Sequence, residues 1–413
     1  MEKMTVAFVG CGSFARNFVE LFQVHPAVEK VYVCDLIPER AKEYSEKFNC
    51  EIIPTFEDIL ADPSINCIAN FTQRHLHGDI VIRALKAGKH VYSAVPMASE
   101  VEECQEIVKL VKEKDLIYMM GETCYYYPCA MYCREANKAG KFGKFAYGAA
   151  QYYHNVDYIS YGKRPNEGGM PPLLYPTHST GMILSAADSY AVKVTAFGYE
   201  DQENDGRFQG TDNQWNNKFS NQYVMMLLAN GATVRVTEAR RFGWFKPSSY
   251  ISAVYGTKGG YEYSNAQHIL VEMDTSLDRE NAKLTDVSDY VNSYAMTENK
   301  DHPDFKNLVA NGKWQGSDVS PIQDAEVARL PESYAPISNG HMGTHKFMID
   351  DFCKAVYNHK QPILNAWTAA RYTIPGLIAH ESAMNGGKEM EIPDFGGMPE
   401  KFSLMDYEDL KYE

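Results

Sequence analysis

The sequence predicts an α/β protein of two domains, an N-terminal parallel sheet flanked by helices and a C-terminal α+β region built on hairpins. Three observations predict it. Residues 4–35 run strand, glycine turn, helix, strand, acid; strands and helices then alternate as far as residue 120; and later apolar segments are joined by Asn-Gly and Gly-Gly turns. A chain of 413 residues also exceeds what one ordinary core holds. The change of pattern places the domains at residues 1–123 and 124–413.

Residues 4–9 form an apolar run that stops at Gly10-Cys11-Gly12-Ser13-Phe14-Ala15. Phe14, Phe18, Leu21 and Phe22 recur at helical spacing, and Val28–Cys34 reads as a second buried strand ending in Asp35. This is the fingerprint of a Rossmann dinucleotide-binding fold. Gly10 permits the tight turn, and Gly12 lets the backbone approach a pyrophosphate. Ala15 lets the helix pack close to the sheet, and the helix opening at Ser13 and Phe14 offers N–H groups to the phosphates. Asp35 lies 25 positions after Gly10, where its carboxylate can accept from both ribose hydroxyls. That carboxylate repels a ribose phosphate, so NAD is favoured over NADP; Arg40 is the nearest cation.

The alternation continues through a helix at 41–48, a short strand at Ile52–Ile53 and a brief helix at 56–61. A buried strand at 65–70 opens into Phe71-Thr72-Gln73-Arg74-His75-Leu76-His77. A helix at 78–87, a turn at Gly88, a strand at 90–93, a helix at 101–114 and a strand at 117–120 follow. Ligands of parallel sheets lie at the carboxyl ends of the strands. Segments 10–15, 35, 72–77, 94–97 and 121–123 should therefore converge, which places Thr72, His75, His77, Val95 and Glu122 beside the dinucleotide.

Composition excludes several classes of partner. Forty basic and fifty-four acidic residues give a net charge of -14 without a run of Lys and Arg, which argues against nucleic acid. No apolar stretch reaches the roughly 20 residues that span a bilayer, and Gly10 interrupts the N-terminus too early for a signal-peptide core. The nine cysteines are odd in number and sit mostly in apolar contexts, as free thiols in a reducing cytoplasm do. Cys124, Cys129 and Cys133 lack the paired spacing of zinc ligands, and His75 with His77 match no usual metal pattern, so no metal is expected.

The glycine turn, Asp35, the Thr72-to-His77 loop, Ala87-Gly88-Lys89-His90-Val91 and the Pro96 turn together resemble the Gfo/Idh/MocA oxidoreductases over nearly the whole chain. The resemblance implies a Rossmann domain followed by a domain with a large, mostly antiparallel open sheet that carries a sugar site. One departure matters. The family's usual Glu-Lys-Pro is Ala94-Val95-Pro96 here, and valine cannot exchange a proton. A similar loss marks the branch of NAD-dependent glycosidases that oxidise carbon 3 of a sugar, eliminate the aglycone, add water and return the hydride.

Leu174-Tyr175-Pro176-Thr177-His178-Ser179-Thr180-Gly181 can supply the missing base. It precedes an apolar helix at 182–187, so His178 stands near a helix N-terminus, where an added positive charge is disfavoured. The segment is similar to the Tyr-Pro-Thr-His stretch of the glycosidase branch, which implies His178 and Tyr175 as the catalytic pair. Left to itself, the segment reads more readily as a helix cap that packs. Tyr152 and His154 share one face of a probable strand and are candidates for sugar contact, as are Asn213, Asn217, Trp244 and the His341/His345 pair.

Two hairpins are expected, 222–228 with 232–237 around Asn230-Gly231, and 249–255 with 261–263. Residues 274–340 read as a long polar loop, helices follow at 344–358 and 366–385, and an acidic tail covers the surface from 388. An open sheet face implies self-association. The first functional reading is an NAD-dependent oxidoreductase acting on a ring alcohol of a sugar or glycoside at carbon 3. The second is a redox-neutral glycoside hydrolase with retained NAD. The third is a non-catalytic sugar or NAD sensor.

Overall fold

A computed structural model describes residues 3–155, 168–210, 213–243, 247–264, 267–273, 283–293, 319–337 and 340–406. The chain forms two compact units. The first comprises residues 1–123, 293–370 and 395–413, and the second residues 124–292 and 371–394.

In the first unit, six parallel strands lie in the order β3-β2-β1-β4-β5-β6: β1 (Met4–Val9), β2 (Val28–Cys34), β3 (Glu51–Ile52), β4 (Cys67–Asn70), β5 (His90–Ala94) and β6 (Tyr118–Gly121). Connecting them are α1 (Arg16–Val24), α2 (Pro38–Phe48), α3 (Phe56–Ala61), α4 (His77–Lys86) and α5 (Val101–Lys114). The central strands are apolar throughout because helices cover both faces of a parallel sheet; β4 is wholly buried and pairs Val6↔Cys67 through Val9↔Asn70 with β1. Helix α1 buries Phe18, Val19, Leu21 and Phe22. Each such side chain removed from water contributes about 1.5–3 kcal/mol before entropy is counted.

The expected boundary at residue 123 coincides with the first break between the units, but residues 293–370 and 395–413 cluster with the first unit instead of the second. Packing explains this. The helix Thr344–Asn358 buries every residue from Thr344 to Ala355, with Phe352 meeting Phe22 and Tyr92 at ring-centre distances of 6.1 and 5.7 Å. It also carries Asp350 into a buried charge cluster, where Arg329 and Lys354 each approach Asp350 Oδ2 at 2.7 Å and His25 Nε2 lies 3.4 Å from Oδ1. Such charges hold position only as a set, since losing one partner leaves another buried and unpaired.

The second unit is a nine-stranded sheet in the order β14-β13-β12-β11-β7-β10-β9-β8-β15. Its strands are β7 (Phe145–Tyr153), β8 (Ala191–Glu200), β9 (Phe219–Leu228), β10 (Thr233–Ala239), β11 (Ser249–Gly256), β12 (Gly259–Tyr263), β13 (His268–Glu272), β14 (Lys283–Asp286) and β15 (Met390–Glu391). Only β7 and β10 pair in parallel; the other neighbours are antiparallel. Helices α6 (Pro128–Lys138) and α7 (Thr177–Ala187) also belong to this unit. Both expected hairpins are present, and Gly231 takes the left-handed conformation (φ 85) that its turn needs. The far face of the sheet exposes Phe197, Tyr199, Tyr223, Met225 and Leu227.

The stretch expected as one long loop from 274 to 340 contains, among its described residues, β14 and the helices Ser288–Val291 and Asp324–Ala328. Their polar, short segments carry too little periodicity to be read. Residues 274–282, 294–318 and 338–339 of that loop lie outside the described residues, as do 407–413 of the acidic tail.

Candidate functional site

The first unit assembles a dinucleotide cradle from strand ends. Gly10 has φ 96, and a Cβ on it would lie 2.7 Å from the Phe71 carbonyl oxygen, so only glycine fits between β1 and the loop after β4. A Cβ on Gly12 would meet nothing within 4 Å, which leaves the space above the turn open for a pyrophosphate. No side chain caps α1, and the Asn17 and Phe18 N–H groups of its first turn donate to the Phe14 and Ala15 carbonyls at 3.2 and 3.0 Å. Asp35 Oδ2 accepts from Cys11 N–H at 2.7 Å and Oδ1 from Ile37 N–H at 2.8 Å. Both oxygens keep lone pairs, because each carboxylate oxygen accepts more than one bond. Tyr44 donates to the Gly12 carbonyl. These residues fit NAD: the carboxylate is pre-oriented and the turn is open.

The other strand ends follow the expected layout. Ala94 and Gly121 are paired across β5 and β6, so Val95 and Glu122 are the next residues of neighbouring strands. Val95 is buried and Glu122 fully so. Thr72 donates from its N–H and its hydroxyl to Asn70 Oδ1, at 3.2 and 2.8 Å. His75 sits half-buried in the short turn Arg74–Leu76.

His77 corrects its expected role. Its Nδ1 lies 2.8 Å from the Pro96 carbonyl oxygen and its Nε2 3.2 Å from that of Thr72. The ring lies between two backbone carbonyls and its N–H donates to one of them, which gives His77 a place in holding these loops. His341 is also displaced from expectation. It belongs to the first unit, with its ring edge-on to Phe14 of the glycine turn at 5.5 Å and its Nδ1 2.8 Å from Nε2 of His345. His341 and Met342 both take left-handed backbone (φ 48 and 56), held by a 2.8 Å bond from Gln323 Nε2 to the Met342 carbonyl. Burial, with His341 adding to it, pushes the pKa of His345 well below the ordinary imidazole range.

The second unit brings four of the expected residues together. With the imidazole neutral and its proton on Nδ1, the Tyr175 hydroxyl donates to His178 Nε2 at 3.0 Å. His178 is the second residue of α7, and both side chains are buried. Tyr152 lies edge-on to His178 at 4.8 Å and 5.8 Å from Tyr175, and His154 lies 5.3 Å from Tyr152. Cys124 Sγ is within 4.8 Å of a His178 ring nitrogen.

Asn213 and Asn217 turn out to be loop clamps. Asn213 Nδ2 donates to the Arg207 and Asn217 carbonyls at 3.0 and 2.8 Å, while its Oδ1 accepts from Trp215 and Asn217 N–H groups at 3.0 and 3.3 Å. Asn217 spans Gly169 and Phe219 in the same way and is fully buried. The Asn213 amide has no capacity left for a sugar, and Asn217 has both amide hydrogens committed to backbone. Trp244 lies outside the described residues.

Sequence reasoning missed Ser179, Glu238 and Arg240. Ser179 Oγ donates to Glu238 Oε1 at 2.5 Å, and Arg240 Nη2 donates to Glu238 Oε2 at 3.1 Å and to the Pro172 carbonyl at 3.1 Å. A signal existed: Glu238 shares the period-two face of Val234 and Val236, and a Glu-x-Arg continuing an apolar strand face is a buried pair in waiting.

Residues 4–122 match a family model described as an oxidoreductase family with an NAD-binding Rossmann fold. A glycosyl hydrolase family 109 protein of Streptomyces niveus is 23% identical over 417 residues, 94% of this chain and 77% of that protein. A 2,7-anhydro-N-acetylneuraminate hydratase of Escherichia coli K12 is 26% identical over 136 residues, 33% of this chain and 36% of its own length. Among solved structures, a levoglucosan dehydrogenase in complex with NADH and levoglucosan superposes with a TM-score of 0.69 at 18% identity, covering 95% of this chain and 100% of its own. At that identity the likeness shows a shared fold.

Proposed function

We propose that this chain, whose residues 4–122 match the model of an oxidoreductase family with an NAD-binding Rossmann fold, moves hydride from a ring secondary alcohol of a sugar or glycoside, at carbon 3, to NAD. One observation carries the assignment of the base: Val95 offers no exchangeable proton, whereas Tyr175 and His178 form a buried, hydrogen-bonded pair 3.0 Å apart. When bound, the nicotinamide supplies the hydride acceptor. The chain's own residues do the rest. Asp35 and the Gly10–Ala15 turn hold the dinucleotide, Tyr175 accepts the hydroxyl proton while passing its own to His178 Nε2, and the carbon–oxygen double bond forms as hydride leaves the carbinol. Tyr152 and His154 line the same cluster and are assigned to the sugar. Likeness to glycosyl hydrolase family 109 proteins and to NAD(H)-bound sugar dehydrogenases supports this reading.

The glycosyl hydrolase likeness, which spans 94% of the chain, also favours a second reading in which the hydride returns after aglycone elimination and hydration. Incubation with NAD⁺ and either levoglucosan or 4-nitrophenyl glycosides distinguishes the two. NADH accumulation supports the dehydrogenase, nitrophenolate release without net NADH supports the hydrolase, and neither product from any substrate in a broad glycoside panel refutes both.

The apolar outer face of the nine-stranded sheet is the surface on which a second copy would pack, which makes the protein a homo-oligomer. All nine cysteines are free and buried, as suits a reducing cytoplasmic compartment. No described helix is long and apolar enough to cross a membrane.

A further inference from the structure

We propose that Arg240 is a positioning residue whose buried cation sets the protonation of the Tyr175–His178 pair. The inference rests on the catalytic reading of that pair. The Arg240 guanidinium carbon lies 4.9 Å from the Tyr152 ring centre and 6.0 Å from that of Tyr175, against the two aromatic faces that flank His178. It is 4% exposed. Glu238 anchors it at 3.1 Å, and Ser179 in turn anchors Glu238 at 2.5 Å, so the cation cannot swing away. The same guanidinium bonds the Pro172 carbonyl, in the turn that leads into Tyr175.

Among the described residues, the titratable and charged groups of this cluster come from three places: Tyr152 at the end of β7 with His154 after the strand, Glu238 at the end of β10 with Arg240 after the strand, and Cys124 from the turn before α6, with Glu122 two residues upstream in the chain. Arg240 is the cation of this cluster. A cation near the pair disfavours a proton on His178 and favours negative charge on Tyr175. Glu238, at bonding distance from Arg240, cancels part of that field, but it is directed at Ser179 whereas the guanidinium lies against the tyrosine faces. The guanidinium is therefore placed to favour the proton-accepting form of the pair. A lysine beside the nicotinamide would carry charge and exchange a proton in one side chain; here the two tasks fall to separate residues.

The test uses the full chain with NAD⁺ and ring-¹³C-labelled histidine, with His178 assigned by comparison with His178→Ala. Arg240→Gln should raise the apparent pKa of the pair by about one unit, and Arg240→Lys should return it most of the way. On whichever glycoside is turned over, the acid limb of kcat should move up by the same amount. Turnover would be roughly tenfold lower below that limb and unchanged on the alkaline plateau, with KM unaltered. Should Arg240→Gln fail to fold because Glu238 is stranded, Arg240→Gln/Glu238→Gln keeps a neutral hydrogen-bonded pair and should move the titration in the same direction by a smaller amount, since Glu238 cancels part of the field. An unmoved His178 titration in a folded variant overturns the inference even where His178→Ala abolishes turnover. A titration that moves while the rate profile stays fixed overturns instead the catalytic reading of the pair.

Discussion

Asp35 allows the cofactor site to be tested quantitatively, because its carboxylate serves the protein and the ligand together. It accepts Cys11 N–H at 2.7 Å and Ile37 N–H at 2.8 Å, and each oxygen keeps capacity for a further bond. Replacing Asp35 by Ala removes the ribose acceptors, a loss of about 1.5–3 kcal/mol for bonds to a charged group, or about 10- to 150-fold in affinity for NAD⁺. The same change strands two backbone donors at the glycine turn, adding a folding penalty of about 1–3 kcal/mol. Asp35→Asn separates the two costs. Its single carboxamide oxygen can hold Cys11 N–H or Ile37 N–H but not both together with two ribose hydroxyls, so it should fold nearly as well and still bind NAD⁺ at least tenfold more weakly. Calorimetric titration with NAD⁺ reads the affinity and urea unfolding reads the stability. Unchanged NAD⁺ affinity in a folded Asp35→Ala protein would refute the ribose role and with it the preference for NAD.

Three further outcomes are expected. His178→Ala should lose turnover by several orders of magnitude while NAD⁺ affinity stays within about twofold, because the base lies in one unit and the dinucleotide turn in the other; retained turnover removes it from the mechanism. Val95→Lys in the His178→Ala background should restore part of the turnover, more at alkaline pH, since burial at position 95 lowers a lysine's pKa; no rescue at any pH means that positions 95 and 178 do not serve one step. Burial, reinforced by His359, pushes the pKa of His90 down from its ordinary 6.5 to about 4, and burial does the same to His268 and His380. Their folded pKa values lie below the unfolded one, so the stability they contribute is present above pH 6.5 and is lost as pH falls towards 4, by about 1.4 kcal/mol per pH unit for each group. His90→Gln, which can still accept the Ile117 N–H, should flatten the pH dependence of the urea midpoint by one group's share; an unaltered slope contradicts it.

Legibility differed sharply between parts of the molecule, and the differences have physical causes. Val28–Cys34 and the helix at Thr344–Asn358 begin and end where their apolar periodicity does, because burial on the intended face decides both. What that helix packs against was not legible. Its attachment to the first unit depends on Phe352 meeting Phe22 and Tyr92 and on Asp350 meeting His25, pairings between residues hundreds of positions apart. In the site, Tyr175 and His178 are legible through the resemblance to a Tyr-Pro-Thr-His stretch, and their spacing of three across a helix start lets the two side chains meet.

Errors in the site arose from one source, which also explains why Arg240 escaped notice. Residue type says what a side chain can bond, whereas its use depends on which partners the fold delivers. Asn213 spends its amide on four backbone groups, and the His77 ring lies between two carbonyls and donates to one of them. Each satisfies buried backbone that would otherwise cost more than a sugar or nucleotide contact returns. The reverse holds for Glu238 and Arg240. Taken singly they look like solvated strand residues, but placed on the face of Val234 and Val236 they can be buried only as a pair. A burial of that cost, set against the aromatic rings around His178 where an apolar pair would pack as well, points to a charge kept for its field.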